Sequence, residues 1–73
     1  MITLKDIVAA ERAKRAAGDA WIAAKQRSED LTIDRRVRVE AGLEELDARE
    51  ALTAASERFR ALLAQAVREE TAP

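Results

Sequence analysis

The sequence predicts an all-α protein: a long antiparallel helical hairpin that dimerises into a four-helix-bundle or coiled-coil-like assembly. Three observations carry this. Ala, Leu, Glu, Arg, Lys and Gln dominate a 73-residue chain whose single Pro is the final residue, so helix propensity is high almost everywhere. Apolar residues recur at spacings of three and four, the period of a helix face rather than of a strand. One segment, SEDLTID at 28–34, concentrates the Ser, Asp and Thr side chains that compete for their own backbone and so interrupt helices.

Helix 1 begins where Thr3 and Asp6 stand at the spacing of an N-cap and its capping-box partner. The apolar series Ile7, Ala10, Ala13, Ala17, Trp21 and Ala24 then extends it to Arg27, giving a predicted helix over 4–27. The turn is expected at 28–32, with Ser28, Asp30 and Thr32 as candidate caps. Helix 2 is expected over 33–70, with a frayed tail at 71–73. Its apolar residues are Ile33, Val37, Val39, Leu43, Leu46, Leu52, Ala55, Phe59, Leu62, Leu63, Ala66 and Val67. Between Leu46 and Leu52 the apolar spacing slips by six, and Asp47 with Glu50 offers a cap for a fresh helix. The alternative is therefore a three-helix bundle with a break near Asp47. Either way the chain is a single helical domain, 1–73.

A hairpin turning near residue 30 sets facing residues at numbers totalling about 60. That register places Gly18 opposite Gly42 as a close backbone approach, and Trp21 near Val39 and Leu43, lying over a floor of Ala17, Gly18 and Ala24. It sets Arg12, Lys14 and Arg15 against Glu44, Glu45 and Asp47. It also leaves the last ten or so residues of helix 2, roughly 15 Å, with no partner in their own chain. Trp21, Phe59, Leu62, Leu63 and Val67 are accordingly the expected protein interface, because unpaired apolar stripes and aromatic anchors are where a small helical protein keeps binding energy.

Composition narrows the chemistry. The chain has no His, Cys or Tyr, so acid–base and nucleophilic work would fall to carboxylates, Lys and Ser or Thr, and there is no Gly-rich phosphate loop. No enzyme activity, cofactor or metal is expected. The nearest acidic cluster, Glu40, Glu44, Glu45 and Asp47, faces a helix 1 that carries six basic residues from Lys5 to Arg27. No apolar run approaches a membrane span, and MITLKDIVAAERAKR lacks the basic-then-apolar order of a secretory signal, so the expectation is a cytoplasmic protein with no membrane contact. Abundant Ala and an excess of Arg over Lys accord with a bacterial or phage gene.

Hydrophobic residues make up 48% of the chain, but alanine supplies nearly half of them, so a lone monomer has little to bury. The expected function is a homodimeric interaction module, a small regulator or inhibitor that binds a larger protein. The alternative is a nucleic-acid-binding helical dimer using Arg35, Arg36 and Arg38 just after the turn. Asp34 and Glu40 stand one helical turn from Arg38 and Arg36 and compensate those charges locally.

Overall fold

The computed structural model describes residues 1–71 and consists of two helices, α1 (Leu4–Glu29) and α2 (Arg35–Thr71), packed as an antiparallel hairpin. Thr3 caps α1 as its sequence implies. Its hydroxyl accepts from the Asp6 N–H at 3.3 Å while the Asp6 carboxylate accepts from the Thr3 N–H at 3.0 Å, a reciprocal capping box. The helix ends two residues later than expected. Ser28 lies inside its last turn, donating to the Lys25 carbonyl at 2.8 Å rather than opening a second helix.

The connection is five residues, 30–34. The Asp30 carboxylate accepts from the Thr32 N–H at 2.9 Å and from its hydroxyl at 2.6 Å, a side-chain turn that replaces helical backbone pairing. The first bond of α2 is the Arg38 N–H to the Asp34 carbonyl at 3.0 Å, so the helix starts at Arg35 and not at Ile33. From there α2 runs unbroken through Asp47 to Thr71. The three-helix alternative is overturned, because EELDAREAL holds only good or neutral helix formers and nothing forces a break. Thr71 is helical, and the remainder of the tail expected to fray, 72–73, lies outside the described residues.

The facing register also differs from the sequence expectation. Gly18 meets Leu52, Arg27 meets Glu44, Ser28 meets Glu45, Lys14 meets Phe59 and Ile2 meets Glu69, pairs whose numbers total 70 to 73. The reason lies in the connection. Residues 30–34 climb along the hairpin axis instead of doubling back, so the first two turns of α2 project beyond the end of α1, about 10 Å at 1.5 Å per residue. Gly18 therefore does not face Gly42, and neither glycine has a positive φ.

Between the helices runs a seven-residue repeat that explains the burial. Ala10, Ala17 and Ala24 on α1, and Ala41, Ala48 and Ala55 on α2, recur every seventh position. They alternate with Ile7, Lys14, Trp21 and Ser28 on α1, and with Glu45, Leu52, Phe59 and Ala66 on α2. Small side chains let the axes come together, since helix separation follows the residues at the contact. The only buried hydrophobic residues among those described are Ala10, Ala24 and Ala41, at 8%, 2% and 2% exposure. Two helices cannot enclose anything larger. The molecule is a rod of 60 × 16 × 12 Å.

Candidate interaction surfaces

The slip between Leu46 and Leu52 marks a change of face, not a break. The inner face of α2 follows Ala41, Glu45, Ala48, Leu52, Ala55, Phe59, Leu62 and Ala66. Val39, Leu43 and Leu46 form a second stripe roughly 160° round the helix from it, at 100° per residue. That stripe is directed away from α1, and its residues are 57%, 61% and 55% exposed. Sequence reasoning merged the two stripes into one. The signal that separates them is phase: 39, 43 and 46 keep helical spacing but fall out of step with the alanine repeat.

Trp21 is half-buried against the helix pair, its ring flanked by the Lys25 ammonium at 5.5 Å and the Arg49 guanidinium at 5.9 Å from the centroid. It does not lie near Val39 and Leu43, because the register carries it toward Arg49. Its indole Nε1 is shielded and makes no hydrogen bond within the chain. Phe59 is also half-buried, with the Lys14 ammonium 5.3 Å from its ring. Leu62 shares a groove with Ala10 and Ala55.

The stripe from Phe59 to Val67 consequently has a partner in its own chain, contrary to expectation. The start of α1 reaches it: Met1, Ile2, Leu4 and Ile7 line one groove with Leu63, Ala66 and Val67, and the Ile2 N–H donates to Glu69 at 3.0 Å. The covering is thin. Met1, Leu4, Leu63 and Val67 remain exposed at this open end of the hairpin.

The charges expected to pair across the helices are displaced by the same shift. Arg15 pairs with Glu11 on its own helix at 2.9 Å, and Lys14 goes to Phe59. Glu44 and Glu45 meet Arg27 and the Ser28 hydroxyl instead. Among the described residues no three carboxylates are grouped so as to hold a metal ion.

Arg35, Arg36 and Arg38 sit in the projecting turns of α2, whose first turn holds no acidic residue. Arg36 pairs with Glu40 at 3.6 Å. Arg38 is half-buried with its Nε shielded and unpaired, and its link to Asp34 is a backbone bond, with no side-chain ion pair between the two. The helix dipole adds to these cations rather than opposing them.

Two carboxylates are held below their ordinary range. Asp6 is lowered by the Thr3 backbone N–H and then by its hydroxyl, and Asp30 by the Thr32 hydroxyl and then its N–H. Both are structural caps at the ends of α1. Among the described residues no helix is long and apolar enough to cross a membrane. No family model matches the chain, and no curated protein or solved structure matches it.

Proposed function

We propose that the chain is a non-enzymatic helical interaction module, a small cytoplasmic regulator or inhibitor of bacterial or phage origin that self-associates and docks on a larger protein. The carrying observation is the open end of the hairpin. There Leu4, Leu63 and Val67 stand together, 76%, 40% and 59% exposed, around a groove lined by Ile2, Ile7 and Ala66. An apolar cluster of this kind with a charged rim suits the helix-in-groove and bundle-completing modes of recognition. Trp21, Phe59 and Leu62 are half-buried between the helices and lie along the hairpin away from this groove, so in this reading they hold the helix pair together rather than line the docking surface.

The test is affinity capture from bacterial lysate, with and without nuclease, using the wild type and a Leu63→Glu, Val67→Glu variant. The expected result is a protein target retained after nuclease and lost in the variant. Targets retained equally by both would overturn this docking surface.

One observation favours a second reading, nucleic-acid binding. The projecting turns of α2 hold Arg35 and Arg36 exposed, where phosphates could reach them, with the half-buried Arg38 beside them. The Arg36 to Glu40 pair counts against it, as does the lack of exposed aromatic side chains beside the arginines on which bases could stack.

A further inference from the structure

The chain partly covers its own docking groove. Thr3 is extended, with φ −99° and ψ 160°, and its capping box starts α1 at Leu4, so residues 1–3 form a short non-helical strap at the mouth of the hairpin. Ile2 lines the groove with Leu63, Ala66 and Val67 and is half-buried, whereas Met1 before it and Leu4 beyond the strap are 105% and 76% exposed. Ile2 is the one side chain of the strap that is seated.

The strap is held through a single carboxylate. Glu69 accepts the Ile2 N–H at 3.0 Å on Oε2 and 3.2 Å on Oε1, the Met1 ammonium stands 4.0 Å from Oε1, and Gln65 Nε2 donates to the same oxygen at 3.5 Å. The remaining side-chain hydrogen bonds between the two halves of the hairpin, among the described residues, are Arg27 with Glu44 and Ser28 with Glu45 at the turn end. Exposed charge-assisted contacts are weak, so the strap can open while the helices stay paired.

We infer that residues 1–3 are an autoinhibitory strap: Ile2 fills part of the apolar groove at the open end, and a partner's aliphatic side chain takes that place when the strap leaves Glu69. This rests on the reading of the open end as the docking surface, and it adds how access is controlled. The plug is a side chain and the tie is a backbone N–H, so the two can be removed separately. A site that is open for a fraction of the time binds with its affinity reduced by that fraction, so a strap closed about two-thirds of the time weakens binding about threefold.

The experiment is titration of a neutral apolar dye, Nile red, followed by its fluorescence, into the wild type, Ile2→Ser and Glu69→Ala at one protein concentration. Ile2→Ser keeps the tie and removes the plug, and Glu69→Ala does the reverse. Each is expected to tighten dye binding about threefold or more, and the double variant should add little, because both act through the same open state. Adding Leu63→Glu with Val67→Glu, or the milder Val67→Ser alone, should reverse the gain and so place it at this groove. Circular dichroism reports whether each variant stays helical. The sign decides the matter: if Ile2 were only one more wall of the surface, Ile2→Ser would weaken binding, and weaker or unchanged binding in both single variants overturns the strap whether or not a cellular target is captured. If dye binding rises but Leu63→Glu, Val67→Glu leaves capture of the cellular target unchanged, the docking surface itself is wrong and the inhibitory role falls with it.

Discussion

A β-carbon placed on Gly18 lies 3.9 Å from Leu52 Cδ1, an ordinary van der Waals contact, and the same addition at Gly42 meets nothing within 4 Å. Neither glycine is required by close approach or by its backbone. Both Gly18→Ala and Gly42→Ala are therefore expected to stabilise the hairpin, each by up to about 1 kcal/mol through helix propensity alone. Thermal melts followed at 222 nm check this, and a fall in melting temperature for Gly18→Ala would restore the tighter crossing that the sequence suggests.

The capping box makes the start of α1 sensitive to acid. The Asp6 carboxylate is lowered below 3.8 in the folded chain, so its contribution is fully present above that value and is lost as pH falls through the depressed native one. Stability should decline below about pH 4, and part of that decline should vanish in Asp6→Asn, which is less stable than the wild type at pH 7 and closer to it at pH 2. Urea titrations at the two pH values give the comparison. An identical acid loss in both proteins would contradict it.

Trp21 and Phe59 are the largest side chains between the helices, yet each is only half covered. Trp21→Ala should cost about 2 kcal/mol, below the 3–5 kcal/mol typical of a fully buried aromatic residue. Phe59→Ala should behave alike. Chemical denaturation of the two variants measures this, with concentration held constant so that any dimer contributes equally.

Neutralising Arg35, Arg36 and Arg38 together separates the two functional readings. Binding to a protein target through Leu63 and Val67 should survive, with salt acting mainly on the association rate. If retention on nucleic acid is abolished by the triple substitution, and only that substitution loses the cellular target, the arginines carry the function.

The hairpin, its capping box and its turn segment are legible in the sequence because each depends on local chemistry: Thr3 with Asp6, the run at 28–34, and helix formers elsewhere. The register is not legible. It depends on how far five connecting residues travel along the axis, a tertiary quantity that shifts every cross-helix pair and moves the projecting segment from Phe59–Val67 to the first turns of α2. The back-face stripe was obscured for a related reason. Alanine counts as weakly apolar in a periodicity search, so Ala41 and Ala48 yielded the inner face to the larger Val39, Leu43 and Leu46.

The alanine repeat also leaves the molecule a choice of frame. Sliding α2 by one heptad, about 10 Å, would bring Ala24, Ala17 and Ala10 level with Ala41, Ala48 and Ala55, matching small to small at three layers. In the observed frame Ala10 is instead level with Leu62. Besides the travel of residues 30–34 along the axis, the adopted frame has Leu4 and Ile7 beside Leu63 and Val67 at the far end, a grouping that the shifted frame would lose. The thread of this two-helix screw is uniform, and its stop is a handful of apolar side chains at the mouth.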